Sequence, residues 1–204
     1  MKKLVLILIA GVSFATAHAQ IQFGVKAGAN LSNFTGNDAQ GAKSLAGFNG
    51  GVYADIPIVK SFSFSPEILY SGKGAKWDAT GFTPAYSIHA NYLDIPLLVK
   101  YKHSSGFNVE TGPQVGFLLS AKAKEQGTSV DDKSAFNSTE FAWDFGIGYD
   151  LSSIPVGIEF RYNLGISNVE NNSNNSGGGS TSTGTAHNSV FQLGLRYTLF
   201  GSKK

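Results

Sequence analysis

Ser87 and His89 are the residues whose types and spacing could carry chemistry in this chain. Side chains two positions apart in an extended strand lie on the same face, so the histidine could take the serine proton and create a nucleophile. Such a site also needs a third group that orients the histidine, and the sequence identifies none. His103 and His187 fall in or beside expected connections between strands, where we expect them to be solvated.

A larger set of ionisable residues follows a strict alternation of apolar and polar positions. Between Phe141 and Leu151 the odd positions are aromatic or aliphatic, and the even ones are alanine, glycine or aspartate. This period of two indicates a strand with one apolar and one polar face. Over the whole chain the apolar faces are uncharged, and we expect the charges on the opposite faces to form one network: Lys26, Asp55, Glu67, Asp94, Lys100, Glu110, Asp144, Asp150, Glu159, Arg161 and Arg196.

The composition indicates which face meets water. Charged residues make up 15% of the chain, against about 25% in ordinary soluble domains. Lysine and arginine number 16 against 14 acids, and without Lys2 and Lys3 the balance is neutral, which gives no electrostatic footprint for nucleic acid. An arginine or lysine facing lipid costs about 2–4 kcal/mol. We therefore expect the apolar faces to meet lipid and the charges to pair across a narrow interior.

The first residues resemble an export signal. Lys2 and Lys3 precede an apolar run from Leu4 to about Phe14, and Ala17-His18-Ala19 follows. These are the parts of a cleaved secretory signal peptide. We expect a signal peptide over 1–19, a barrel over 20–200 and a short periplasmic tail over 201–204. The chain has no cysteine, so no disulfide framework is expected.

The alternation defines eight strands joined by connections of two lengths. Long gaps fall near 33–44, 74–86, 121–138 and 167–187, and short ones near 59–61, 102–105 and 152–154. Membrane barrels join their strands by long extracellular loops and short periplasmic turns. The sequence therefore predicts an all-β, eight-stranded antiparallel up-and-down transmembrane barrel with four long loops and three short turns.

Aromatic residues near the strand ends are expected to form two interfacial belts. The belt at the long-loop end would contain Phe34, Tyr70, Trp77, Phe82, Tyr86, Phe141 and Trp143. The belt at the short-turn end would contain Phe62, Phe64, Tyr101, Phe107, Tyr149, Tyr197 and Phe200. The fourth long gap is of low complexity, and we expect it to be solvated.

Four blocks of sequence resemble the PorT-type outer-membrane β-barrel domain proteins, which are often labelled porin family. The blocks are FGVKAGANLSNF, YLDIPLLVKY, TGPQVGFLLS and the final LGLRYTLF, and together they span the chain from about 20 to 200. The resemblance implies an eight-stranded barrel in a bacterial outer membrane and little about activity. The last strand also resembles the terminal signal read by the barrel-assembly machinery, except that Leu199 stands where an aromatic residue is usual and Gly201–Lys204 follow.

These observations favour a non-enzymatic outer-membrane barrel with a structural or surface-interaction role. Its expected partners are outer-membrane lipid, the assembly machinery during insertion and an unidentified partner of the surface loops, with no nucleic acid, metal or cofactor. Two alternatives stay open. One is a narrow-pore porin for small solutes, and the other is a lipid-modifying enzyme that uses Ser87 and His89.

Overall fold

A computed structural model describes residues 21–81, 83–171 and 185–201. The expected signal peptide, Phe82 and the greater part of the low-complexity loop lie outside the described residues. The strands are β1 (Gln22–Thr35), β2 (Lys43–Val59), β3 (Phe62–Trp77), β4 (Tyr86–Lys102), β5 (Phe107–Glu125), β6 (Thr128–Asp131), β7 (Thr139–Asp150), β8 (Val156–Gly165) and β9 (His187–Phe200). Two single-turn 3-10 helices, Asn37–Ala39 and Lys133–Ala135, lie in connections.

Eight of the strands form one closed antiparallel ring. Each strand pairs with the next along the chain, with β7 following β5, and β1 pairs with β9 to close the sheet. This arrangement confirms the predicted eight-stranded barrel. In the described part of the chain no helix has the length and apolarity needed to cross a membrane.

The strands continue further toward the long-loop end than the sequence predicted. The expected loop 121–138 contains the end of β5 and the short strand β6, which pairs with β5 outside the ring. Gln126 and Gly127 form the two-residue turn between them, at φ 44° and 85°. Positive φ at both central residues matches the right-handed twist of a hairpin. The prediction missed β6 because glutamine is unusual at the first of these positions.

Strand β7 illustrates how the alternation builds the wall. Phe141 and Phe145 are 54% and 51% exposed on the outside of the ring, whereas Glu140 and Asp144 are 1% and 0% exposed. The same pattern runs around the barrel. The wall is therefore apolar outside and polar inside, the reverse of a soluble protein.

Close contacts between strands require glycine on the interior face. A Cβ on Gly51 of β2 would lie 2.0 Å from the carbonyl oxygen of Ile68 in β3. The adjacent Gly50 faces outward, and a Cβ there would meet its nearest atom, the Lys26 carbonyl oxygen, at 3.4 Å. The strong curvature of a small ring therefore requires glycine at position 51 but not at position 50.

The apolar core of the molecule closes the long-loop end of the ring. We call Phe34, Trp77, Phe136, Val169 and Ala186 the apolar cap. The Phe34 ring lies 6.2 Å from the rings of both Trp77 and Phe136. The amide of Val169 donates to the Ala186 carbonyl at 2.8 Å, which fixes the base of the fourth long loop over the opening.

Two residues expected in the aromatic belt at the long-loop end belong to the apolar cap instead. Phe34 is 5% exposed and belongs to the interior instead of the lipid interface. It follows Asn30 and Ser32, which are also buried, on the interior face of β1. The alternation in the sequence therefore already indicated that Phe34 faces inward. Trp77, also expected in that belt, is partly buried and belongs to the cap. Val169, in the loop expected to be solvated, is 1% exposed.

Candidate functional site: the charged interior of the barrel

Arg161 of β8 lies at the centre of the charged interior. Its Nη1 and Nη2 donate to the two carboxylate oxygens of Glu67, each at 2.9 Å. Its Nε donates to Oε1 of Glu110 at 3.0 Å, and Nη2 lies 3.1 Å from Oε1 of Glu159. Two parallel bonds between a guanidinium and a carboxylate are strong and directional. One arginine thus links β3, β5 and β8 across the ring.

Two lysines complete this centre. Lys26 lies 3.1 Å from Glu67 and also bonds Glu159, while Lys100 lies 2.9 Å from Glu110. We call Lys26, Glu67, Lys100, Glu110, Glu159 and Arg161 the central cluster. All six side chains are at most 6% exposed, so their pairing replaces the water that each charge has lost.

A second group of charges lies toward the short-turn end. Arg196 Nη2 lies 3.0 Å from Asp55, and its Nε lies 3.1 Å from Asp150. Lys102 reaches Asp150 at 2.7 Å, and Lys100 lies 3.6 Å from Asp55. Lys100 therefore joins this turn-end cluster of Asp55, Lys102, Asp150 and Arg196 to the central cluster.

A third group lies toward the long-loop end and was only partly predicted. Lys73 lies 3.1 Å from Asp94 and 3.2 Å from Glu140, with its Nζ 4.8 Å from the centroid of the Tyr92 ring. Asn188 donates to Glu140 at 3.0 Å. Sequence reasoning included Asp94 but missed Lys73 and Glu140. Lys73 occupies the same set of alternate positions in β3 as Glu67, and Glu140 the same set in β7 as Asp144. The alternation in the sequence therefore already indicated that both side chains face inward.

The eleven residues named for the network all lie in the interior and are buried. The central and turn-end clusters contain nine of them. Asp94 belongs to the third group, with Lys73. Asp144 lies apart, 4.0 Å from Arg161, and accepts a 2.8 Å hydrogen bond from Asn163.

The interior carries more acids than bases. Eight buried carboxylates face six cations in the described residues, if the partly exposed Lys102 is counted. The central and turn-end clusters balance at five of each sign. The excess of two negative charges therefore lies toward the long-loop end, which we call the upper interior. There Lys73 pairs with Asp94 and Glu140, and Asp144 lies beside Asn163.

One group of carboxylates has the spacing of a metal site. In the described residues, oxygens of Glu67, Glu110 and Glu159 come within 4.8 Å of one another. Each of these oxygens already bonds Arg161 or a lysine of the central cluster. A cation at this point would meet three positive side chains, so the arrangement is an ion-pair core and not an open ligand set.

Ser87 and His89 lie on the outer wall and not in this interior. The Ser87 hydroxyl lies 3.2 Å from Nε2 of His89. The strand register places Lys76 and Lys124 opposite Ser87, and Lys122 opposite His89. The neighbours across the sheet are thus cationic, and a carboxylate that would orient His89 is not among them.

Comparison with known proteins agrees with this architecture. The chain matches the family described as outer membrane protein beta-barrel domain over residues 14–171. Neisserial surface protein A is similar with 15% identity and a TM-score of 0.50, over 87% of this chain and 97% of that one. Ail, the attachment invasion locus protein of Yersinia pestis, was solved with the heparin analogue sucrose octasulfate. It is similar with 13% identity and a TM-score of 0.50, over 88% and 99% of the chains. No curated protein matches the chain.

Proposed function

Because the chain belongs to the outer membrane protein beta-barrel domain family, we propose that it is a non-enzymatic barrel with a closed interior and a structural or surface-interaction role. The finer parts of this proposal are the PorT-type relationship, export by a cleaved signal peptide over 1–19 and insertion by the barrel-assembly machinery. They are supported by the four sequence blocks, the basic-apolar leader and the terminal strand.

The observation that carries the proposal is the filling of the interior. The central cluster spans the ring with buried side chains from β1, β3, β4, β5 and β8. Above it, Phe34, Phe136 and Val169 close the long-loop end with apolar groups. An ion entering from that end would have to displace the apolar cap and then separate buried ion pairs, both of which are unfavourable.

The test is a conductance measurement on the folded barrel. The chain without residues 1–19 is folded into lipid bilayers, and folding is verified on a gel by faster migration of the unboiled sample. We expect this heat-dependent shift together with conductance at the level of protein-free bilayers. A heat-shifted protein that opens steady channels would contradict the closed interior, and a protein without the shift would contradict the barrel.

A narrow pore is the second candidate, and the excess of acids in the upper interior favours it. Asp94, Glu140 and Asp144 outnumber Lys73, so a pore through this region would favour cations over anions. If channels appear, the reversal potential in a salt gradient identifies the permeant ion. Cation selectivity that falls in Asp144→Asn would support this candidate over the closed barrel.

The enzyme alternative makes a separate prediction for Ser87 and His89. We expect Ser87→Ala and His89→Ala to leave the lipid composition of the outer membrane unchanged, because the groups beside the pair are lysines. Mass spectra of extracted lipids from cells with and without the protein provide the comparison. A lipid change that needs both residues would show that the barrel is an enzyme.

A further inference from the structure

Three lysines form a lateral row on the outside of the barrel at its long-loop end. The register places Lys43 of β2 opposite Lys76 of β3, and Lys76 opposite Ser87 of β4. Ser87 in turn lies opposite Lys124 of β5. Directly opposite residues of antiparallel strands share a face, so the row crosses four strands at one height. Lys122, opposite His89, lies one step closer to the membrane, and we call Lys43, Lys76, Lys122 and Lys124 the lysine patch.

The neighbours of the row show that it faces outward. Ala75 and Ile88, which precede Lys76 and follow Ser87, pack against the apolar core inside the ring. Successive side chains of a strand point to opposite faces. Lys76 and Ser87 therefore point away from the interior, and Lys43, Lys76, Lys122 and Lys124 are all exposed.

The patch carries unbalanced positive charge. Like charges directly opposite each other in a sheet are destabilising, and Lys43 faces Lys76. Asp78 bonds Lys43. The hydrogen bond and charge of Lys43, with a smaller effect of the Lys76 charge, lower the pKa of Asp78. Asp131 stands opposite Lys122. Lys76 and Lys124 make no ion pair with any carboxylate in the described residues, although Glu125 follows Lys124 in the chain.

The patch lies directly above the apolar band of the outer wall. Leu119 is 47% exposed on the outside of β5, and Lys122 comes three residues later. Between the two levels, Asn91 donates to Ser120 at 3.0 Å. A polar step followed by lysines is the order expected where hydrocarbon gives way to the charged headgroups of the outer leaflet.

We propose that the lysine patch binds the phosphate groups of outer-leaflet lipids, with Lys76 and Lys124 on either side of Ser87 holding one phosphate. In the His89 tautomer that carries its hydrogen on Nε2, this nitrogen donates to the Ser87 hydroxyl, and the hydroxyl hydrogen is left to point at the phosphate. Ser87 and His89 then serve as binding groups instead of a nucleophile and its base. The inference rests on the proposed outer-membrane location.

The position of the patch favours a lipid over a soluble polyanion. The lysines are on the side of the barrel, continuous with the lipid-facing wall and below the tip of the β5–β6 hairpin. A lipid phosphate reaches this height as part of the membrane itself. A soluble sulfated sugar would have to enter between the wall and the surrounding headgroups.

The experiment compares lipids that differ only in phosphate. The barrel in neutral detergent is titrated with lipid A, and separately with dephosphorylated lipid A, and bound lipid is counted by native mass spectrometry. Lys76→Gln and Lys124→Gln are compared with Lys60→Gln, which removes one exposed lysine at the short-turn end. We expect lipid A to bind more tightly than its dephosphorylated form. We also expect each patch variant to weaken lipid A binding about fivefold, with Lys60→Gln unchanged.

Other outcomes overturn the inference. Equal binding of the two lipids would remove the role of phosphate, and equal weakening by Lys60→Gln would mean that the net charge acts without a site. Tighter binding of soluble sucrose octasulfate, lost in the same patch variants, would assign the lysines to a soluble polyanion. Each variant is first tested for the heat-dependent gel shift, so that a failure of the barrel is distinguished from a failure of the site.

Discussion

Arg161 is the residue on which the interior depends most. It bonds Glu67, Glu110 and Glu159, and its side chain is fully buried. In Arg161→Met, these carboxylates would keep only Lys26 and Lys100 as partners. Breaking a buried ion pair by removing one partner costs about 3–5 kcal/mol. We expect a loss of that size in the free energy of unfolding, measured by urea titration in lipid vesicles with tryptophan fluorescence.

The control for this residue is Lys102→Gln. Lys102 is 33% exposed and bonds one carboxylate, Asp150, so its loss is expected to cost less than about 1 kcal/mol. The double variant Arg161→Met with Glu110→Gln is expected to recover part of the loss, because one of the uncompensated charges is also removed. Equal stability of Arg161→Met and the unchanged protein would show that the central cluster does not stabilise the fold.

Sequence alone placed these side chains on the right face but did not pair them. The alternation fixes the face of Glu67 or Arg161 because a strand has a period of two. Which residues meet across the interior depends on the stagger of the strands around the ring, and this is not encoded by any single strand. The bidentate contact of Arg161 with Glu67, 94 positions apart, therefore needed the structure, and so did the isolation of Asp144.

At the scale of single strands, β2 offers a test of how tightly the ring is curved. A Cβ on Gly51 would lie 2.0 Å from the Ile68 carbonyl oxygen, a backbone atom that cannot move without shifting β3. Overpacking of this kind costs about 1–3 kcal/mol. We expect Gly51→Ala to lose that amount in urea titrations of the folded barrel. The adjacent Gly50→Ala, with 3.4 Å of space, is expected to lose little. A similar loss in both variants would mean that strand propensity, and not curvature, explains the glycine.

The β5–β6 hairpin is an element that the alternation could not reveal. Gly127 adopts a φ of 85°, which a β-branched residue disfavours. We expect Gly127→Val to increase proteolytic cleavage between residues 121 and 138 while the heat-dependent gel shift is retained. Gln126→Gly, which relieves the positive φ of Gln126, is the matched control and is expected to be cleaved no faster than the unchanged protein. Unchanged cleavage in Gly127→Val would contradict the two-residue turn.

The whole molecule exposes apolar side chains on the outside of the ring and buries charged side chains inside it. Leu193 of β9 is 59% exposed on the outer wall, at mid-barrel, opposite Ala29 of β1 and Phe160 of β8. In water, Leu193→Arg at so exposed a position would be nearly neutral, whereas an arginine at the bilayer midplane costs about 2–4 kcal/mol. We expect the second result when unfolding is measured in lipid vesicles, with Ser105→Arg in an exposed short turn nearly neutral. If both variants match the unchanged protein, this wall does not face hydrocarbon. If only Leu193→Arg loses stability, the apolar outer wall and the charged interior follow from one fact, that lipid surrounds the barrel.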